Sequence, residues 1–191
     1  MLDKQSLRRA VLDRRDRLPV QSRIEKSLAM EGHAAALQIA PGTLVAGFLP
    51  IRSEPDLRPL LVRLRECGAR LCLPVVVDRQ TIVFRAFDRD TGLVETGFGT
   101  RGPADDAAVV SPDVILLPLA AFDRRGHRLG YGAGHYDRAI ARLRAEGRSV
   151  RLVGAAFDMQ ETDLIAAEAH DVPLDEVLTE SGLRRFAAGE Q

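Results

Sequence analysis

A chain of 191 residues that is 46% hydrophobic and 28% charged is long enough to bury one substantial core, and it favours one domain. Its 27 basic and 27 acidic side chains cancel, which excludes a protein whose main work is coating nucleic acid or an anionic membrane, since both need an excess of Lys and Arg. With 5% aromatic residues and no tryptophan, the core must come mainly from Leu, Val, Ile and Ala, as in layered α/β proteins.

Leu7, Val11 and Leu18 recur at helical spacing, which predicts a helix from Leu2 to Arg17 that Pro19 ends. A second helix is expected from about Ser22 to Ile39, with Ile24, Leu28, Ala35 and Ile39 on its buried side and Pro41-Gly42 as its stop. TLVAGFLP (43–50) reads as a buried strand that runs into the polar loop IRSEPD. LRPLLVRLRECG has the amphipathic period of a helix ending at Gly68, and ARLCLPVVV (69–77) follows as a strand, which completes a β-α-β unit. TIVFRAF (81–87) is a further strand, whereas DTGLVETGFGTRGPADDA (90–107) is expected to be an exposed excursion. VILLPLAAF (114–122) is the most hydrophobic strand of the chain. After it come a glycine-rich loop, a helix from about Tyr136 to Glu146, the strand RLVGAAF (151–157) and a tail with the apolar run VLT (177–179).

Strands alternating with helices predict an α/β fold, a three-layer α/β/α domain over residues 1–191 with a mixed, mostly parallel central sheet. The N-terminal helices of residues 2–40 are expected to pack on an α/β core of residues 43–180. In such sheets ligands gather outside the carboxyl ends of the strands, which points to the loops after Phe48 and Phe122. No run approaches the roughly 20 apolar residues of a membrane span, and the N-terminus is charged from its third residue. The expectation is a cytoplasmic monomer without signal peptide, membrane contact or nucleic-acid partner. Cys67 and Cys72 are expected to be reduced, buried filler, because a lone pair of cysteines is a poor zinc set.

The densest chemical signal is AFDRRGHRLGYGAGHYDR (121–138). Gly130, Gly132 and Gly134 alternate, so backbone without Cβ atoms can lie close to a ligand and turn its amides inward. With the following helix N-terminus and the flanking Arg128 and Arg138, this loop forms a plausible phosphate cradle. It is neither the P-loop pattern nor the dinucleotide fingerprint, and taken alone it reads equally as a tight surface turn. Its flanks argue further: both tyrosines of the chain, Tyr131 and Tyr136, lie here beside His135 and Asp137. No G-x-S-x-G marks a serine nucleophile, and His127, His135 and His170 with Asp171 do not have a recognised metal-ligand spacing.

LLPLAAFDRRGHRLGYGAGHYDR resembles the signature of 5-formyltetrahydrofolate cyclo-ligases, also called 5,10-methenyltetrahydrofolate synthetases. The resemblance extends over most of the chain: Lys4 and Arg8 match an N-terminal Lys-x-x-x-Arg, FLPIRSEPD a strand followed by a Glu, and FDMQ and HDVPLDEVLT a closing segment. It implies a fold shared broadly with some sugar-phosphate isomerases. It also implies a reaction in which MgATP converts 5-formyltetrahydrofolate into 5,10-methenyltetrahydrofolate with release of ADP and phosphate. Phosphorylation turns the formyl oxygen into a good leaving group, folate N10 closes the ring, and no covalent protein nucleophile is needed.

The resemblance further implies the site. Lys4, Arg8 and Arg128 would be catalytic cations on the ATP phosphates, Arg8 also near the folate, and the run Arg128, Leu129, Gly130, Tyr131, Gly132, Ala133, Gly134, His135, Tyr136 would wrap the triphosphate. Phe48, Leu49, Pro50 and Glu54 would bind the folate together with Tyr131 to Tyr136, Glu54 accepting the adjacent N–H donors of the pterin. Asp137 and Asp171 would hold Mg²⁺, which often takes only one or two carboxylates. Each residue also has an ordinary reading: Lys4 and Arg8 a solvated helix face, Glu54 a polar turn, Asp137 a helix-start carboxylate, Asp171 a loop carboxylate, Tyr136 a rim aromatic. The chain departs from the family pattern at His135, where Tyr is common, and at Ala133, where Gly or Lys is. Two alternative functions stand beside the cyclo-ligase: a non-catalytic folate- or nucleotide-binding module, and a sugar-phosphate isomerase-like enzyme with no need for ATP.

The neutral total hides a partition. Residues 1–30 hold eight basic and four acidic side chains, and residues 121–150 hold seven and three, so the segments matched to ATP are the positive ones.

Overall fold

The structure, a computed structural model, describes residues 3–166, 168 and 171–186. Leu2 and His170 therefore lie outside the described residues. Asp3 opens α1 (Lys4–Asp16), its carboxylate accepting the N–H groups of Gln5 and Ser6 at 2.9 and 3.0 Å and so satisfying donors that the first turn leaves unpaired. Pro19 separates α1 from α2 (Val20–Gly32).

The second helix differs from expectation in length and in face. It stops at His33, a short 3-10 turn (Ala34–Leu37) follows, and Gln38 takes a left-handed conformation at φ 51°. Ser27, Met30, Ala34 and Leu37 face inward, whereas Ile24, Leu28 and Ala35 are exposed and Ile39 is half-buried. The cause is a polar residue on the inner face: the Ser27 hydroxyl donates to Arg23 O at 2.7 Å and accepts from Asp56 N at 3.0 Å, which splits the apolar stripe that marks a buried side.

β1 (Leu44–Ala46), α3 (Arg58–Glu66) and β2 (Arg70–Val76) form the expected β-α-β unit, with Val45 paired in parallel to Leu71 and Gly68 turning the chain at φ 92°. β1 is shorter than 43–50 because α3 crosses it closely: a Cβ on Gly47 would lie 2.6 Å from Leu61, and Phe48 to Pro50 leave the sheet. β3 (Ile82–Ala86) returns antiparallel to β2. The supposed excursion of residues 90–107 is folded as a hairpin of β4 (Leu93–Thr96) and β5 (Thr100–Pro103), and it lies on β2 so tightly that a Cβ on Gly102 would meet Val75 at 2.9 Å. β6 (Val109–Val110) then adds an edge strand beside β3.

The hydrophobic run 114–122 is two strands. β7 (Val114–Pro118) belongs to the main sheet, and β8 (Ala121–Asp123) to a small second one. An unbroken apolar run conceals this break because the residues on both sides of it are buried, apart from the partly buried Pro118. β9 (Arg128–Leu129), α4 (His135–Ala145), β10 (Arg151–Ala155), β11 (Glu161–Thr162), β12 (Glu176–Thr179) and β13 (Gly182–Arg185) complete the described chain.

The main sheet has eight strands in the order β13-β12-β10-β7-β1-β2-β3-β6. From β12 to β2 neighbours run parallel, and β13 and β3 are antiparallel to their partners, giving the mixed, mostly parallel α/β architecture. Alternate residues of the central strands face opposite layers. Val45, Val114, Leu116 and Val153 pack with Leu60, Leu61 and Leu64 of α3 and Met30 of α2, whereas Leu44, Ala46, Ile115, Leu117 and Leu152 pack with Ala139, Ile140 and Leu143 of α4. Each such Val, Leu, Ile or Met side chain contributes roughly 1.5–3 kcal/mol on full burial. β8, β9 and β11 form a smaller sheet, against which α1 lays Leu7 and Val11 over Ala121, Leu129 and Ile165.

Candidate active site

A cavity of about 730 Å³ opens beyond the carboxyl ends of β1, β2 and β7. Phe48, Leu49, Ile51 and Glu54 come to it from the loop after β1, Pro74 and Val76 from β2, Arg79 from the β2–β3 turn, Ile82 from β3, Thr100 and Arg101 from the β4–β5 hairpin, and Arg128 to Asp137 from β9 through the first turn of α4. Lys4 and Arg8 reach it from α1, and Glu168, Asp171 and Val172 from the segment before β12. Of the residues matched to ATP, folate or Mg²⁺, all line this space except Pro50, beyond which Ile51 turns toward the cavity; Arg138, read as a flank of the phosphate cradle, is also not in the lining. Residues 167 positions apart, Lys4 and Asp171, are joined there by a 2.6 Å hydrogen bond.

The geometry of α1 explains the first cations. Its inward face carries Lys4, Arg8, Val11 and Arg15 at helical spacing; with Val11 buried, Lys4 and Arg8 reach the cavity and Arg15 is buried beside it against Ser53 and Tyr131. Arg8 Nε donates to Gly130 O at 2.7 Å, and its guanidinium lies alongside Gly132. Lys4 Nζ bonds Asp171 and Glu168 at 2.6 and 3.0 Å. Burial works against the ammonium, but these two carboxylates outweigh it and hold the Lys4 pKa above its usual value.

The glycine-rich segment is shaped by two glycines with positive φ, Gly132 at 100° and Gly134 at 66°. Gly134 also caps α4 without a side chain, and Arg138 Nη2 bonds Ala133 O at 2.7 Å. The loop is fastened to the β2–β3 turn: His135 Nε2 meets Arg79 O at 3.0 Å and Arg138 Nε donates to Gln80 O at 2.7 Å. His135, where the family pattern commonly has Tyr, thus tethers one wall of the cavity to another.

Arg128 stands at the centre. Its side chain is 7% exposed and donates to Val172 O and to Asp137 Oδ1. Burial lowers its pKa, opposed by the nearby charges of Asp137 and Asp171. Both carboxylates therefore converge electrostatically on one guanidinium. The turn that feeds Arg128 is built on Asp123, which is fully buried: Oδ1 accepts the N–H groups of Arg125 and His127 at 2.9 and 3.0 Å, and Oδ2 accepts Ile165 N at 3.0 Å. Burial alone would raise this carboxylate's pKa, yet the N–H groups hold it below its usual value. Asp123 thereby joins the Arg128 turn to the segment that leads to Asp171.

Glu54 forms the opposite, drier wall. It is 6% exposed; Oε2 accepts Ile51 N at 2.9 Å, and Oε1 is buried with no completed hydrogen bond. Burial raises its pKa, against the opposing influence of the Tyr131 hydroxyl, Ile51 N–H and the Arg15 charge. Tyr136, half-buried behind it, is also held above the usual tyrosine range by burial and by Glu54. Burial likewise pushes the Cys72 thiol up to about 12, so it is no nucleophile, and both cysteines are free, Cys72 buried as expected but Cys67 exposed.

Sequence reasoning missed Arg15, Asp123, Arg79, Thr100, Arg101 and Glu168. Arg15 had a signal, its helical register with Lys4 and Arg8, and Asp123 lay inside the motif itself. Arg79, Thr100 and Arg101 had none, since Arg79 reaches the cavity on the β2–β3 turn and Thr100 and Arg101 only through docking of the β4–β5 hairpin.

A sequence model of the 5-formyltetrahydrofolate cyclo-ligase family matches residues 1–180. Among individual relatives, the 5-formyltetrahydrofolate cyclo-ligase of Mycolicibacterium smegmatis is 36% identical over 184 residues, covering 92% of this chain and 93% of its own. The protein of the same name from Escherichia coli K12 is 34% identical over 143 residues, 72% of this chain and 78% of its own. Among solved structures, the 5,10-methenyltetrahydrofolate synthetase of Aquifex aeolicus superposes with a TM-score of 0.81 at 29% identity, covering 98% of this chain and 95% of that one.

Proposed function

The chain belongs to the 5-formyltetrahydrofolate cyclo-ligase family, and we propose how its residues divide the family's reaction between them. It converts 5-formyltetrahydrofolate into 5,10-methenyltetrahydrofolate with consumption of ATP and release of ADP and phosphate. Neither the binding module nor the isomerase-like enzyme is favoured by these relatives. The observation that supports the assignment of roles is convergence: Lys4, Arg8, Glu54, Arg128, Asp137 and Asp171, spread over the whole chain, line one cavity.

In this reading the cationic side receives the triphosphate. Lys4, Arg8 and Arg128 supply fixed charge, and the N–H groups of the segment from Gly130 to His135 supply neutral donors beside the N-terminus of α4. The folate lies against Phe48, Leu49 and Ile51, with its pterin N–H donors on the open Oε1 of Glu54. The formyl oxygen then attacks the γ-phosphorus and ADP leaves; the N10 lone pair attacks the formyl carbon, N10 loses its proton, and phosphate departs with the former formyl oxygen. Arg128, nearly enclosed, meets the charge that develops on the phosphoryl group, where a low-dielectric site strengthens the contact.

The donor set fits Mg²⁺. Asp137 and Asp171 are oxygen donors on the same cavity, and among the described residues no group of three or more His, Cys, Asp or Glu could hold an ion unaided, as suits a metal that draws most of its shell from phosphate and water. Asp137 and Asp171 would hold it, and when bound it supplies neutralisation of phosphate charge. No helix among the described residues is long and apolar enough to cross a membrane, and two free cysteines suit a reducing, cytoplasmic setting.

The test is direct. Purified protein with 5-formyltetrahydrofolate, Mg²⁺ and ATP should yield the near-ultraviolet absorbance of the methenyl product with one ADP per turnover. Folate binding without either product would restore the binding-module reading, and turnover without ATP would restore the isomerase-like one.

A further inference from the structure

Arg15 is 1% exposed, and its hydrogen bonds go only to neutral groups: Ser53 Oγ at 3.0 Å, Tyr131 Oη at 2.7 Å and Leu119 O at 3.4 Å. Among the described residues it has no direct ion pair, an arrangement that is costly for a buried guanidinium unless negative charge stands just beyond its neutral neighbours. Two carboxylates stand there. Ser53 Oγ in turn donates a hydrogen bond to Asp16, and the Tyr131 hydroxyl, which accepts from Arg15, also interacts with Glu54. Glu54 in turn has one oxygen buried and without a completed hydrogen bond.

We propose that Arg15 is a positioning residue for folate recognition: acting through the Tyr131 hydroxyl, its charge favours the carboxylate form of Glu54 and keeps it aimed as an acceptor for the N–H edge of the pterin. Direct contact between Arg15 and Glu54 would consume the carboxylate's lone pairs. The intervening phenol transmits the charge and leaves Oε1 open, so the pair is electrostatically coupled without being closed to a ligand. The groups that face Glu54 are Arg15 and, through Ser53, Asp16 on α1, Tyr131 on the glycine loop, and Tyr136 on α4. Of these only Arg15 is a cation, so it alone among them favours the carboxylate by charge. The inference rests on the assignment of Glu54 to the folate.

The sign of the effect follows. Removing Arg15 raises the Glu54 pKa further, so folate binding is lost at a higher pH as the solution is acidified. Arg15→Met should raise KM for 5-formyltetrahydrofolate about tenfold, as for loss of one charge-assisted interaction, while KM for MgATP stays within about twofold. The acid limb of the folate KM profile should move toward neutral pH. Tyr131→Phe, at a residue on the cavity rim, should move the same limb in the same direction in a protein whose melting curve shows it folded, which decides the matter if Arg15→Met does not fold. Arg15→Lys, which keeps the charge, should leave the limb near its wild-type position. An unmoved limb in Tyr131→Phe, or equal rises in KM for both substrates in either variant, overturns the proposal. Wild-type protein that forms no methenyl product would overturn the functional assignment instead, so the two failures are distinct.

Discussion

The two ends of the cavity handle charge in opposite ways. At the phosphate end the three cations assigned to the triphosphate are already engaged: Lys4 with Asp171 and Glu168, Arg128 with Asp137, Arg8 with a backbone carbonyl. At the folate end, Arg15 and Glu54 are kept apart by a phenol, and one carboxylate oxygen is left open. A site built on paired charges must exchange partners when its ligand arrives, which suits a highly charged ligand that brings both anion and cation. A site built on separated charges is preset, which suits a ligand with a fixed donor pattern and little charge at the recognised edge.

The largest effect that would break this contrast is at Arg128. Arg128→Ala should lower kcat by about 10²–10³-fold, the usual consequence of removing one preorganised group from a developing charge, with KM for the folate within about twofold. Steady-state kinetics with each substrate varied in turn measures both. A parallel rise in folate KM would mean that the two ends are one continuous site.

Glu54→Gln should act on the other end alone. It is expected to raise KM for 5-formyltetrahydrofolate about tenfold or more, because an ionised acceptor is exchanged for a neutral amide, and to leave KM for MgATP unchanged. The same substitution should raise the melting temperature at pH 7. Burial raises the Glu54 pKa in the folded state, so the native protein holds this proton more tightly than the unfolded chain does. Stability therefore falls as pH climbs through the unfolded carboxylate's pKa and stops falling above the folded one. The gain from Glu54→Gln should accordingly vanish at acid pH, where both states are protonated. Melting curves at two pH values check this; an equal gain at both would mean that better packing, not relief of a buried charge, is responsible.

How far the sequence discloses each end follows from where the residues lie. The phosphate end sits on one helix face and one contiguous segment: glycine spacing marked the loop, while Lys4 and Arg8, which periodicity alone reads as a solvated helix face, were marked by the family resemblance. The parallel β-α-β unit and the order of strands and helices were legible because most elements have their own period and stop, as at Pro19 and Gly68, although the helix expected to run to Pro41-Gly42 ends at Gly32. The rest required tertiary facts. Arg15 reads as one more charge in a charged helix until Val11 fixes which face is inward, and Arg79 and Arg101 reach the cavity on a turn and a hairpin that looked like exposed chain. The inner face of α2 was misread because Ser27 occupies a core position by bonding locally, and local hydrogen bonding leaves no hydrophobic mark. The break between β7 and β8, which swings the motif away from the main sheet, falls within an unbroken apolar run.

The smallest effects distinguish glycines that the sequence presents as equivalent. Gly130 has no positive φ, and a Cβ there would meet nothing within 4 Å; Gly132 has equally ordinary surroundings, its nearest atom being Arg8 Cζ at 3.7 Å, but φ is 100°. Gly130→Ala should therefore leave stability within about 0.5 kcal/mol, the range of changes away from special features. Gly132→Ala should cost about 1–2 kcal/mol, the penalty of forcing a side-chain-bearing residue into a rarely allowed conformation. If the preset backbone is what serves the phosphate end, Gly132→Ala should also raise KM for MgATP while leaving folate KM in place, because it distorts amides on that side only. Equal melting temperatures for the two variants would show that the loop relaxes freely, and the phosphate end would then owe its shape to Arg8 and Arg138 rather than to its glycines.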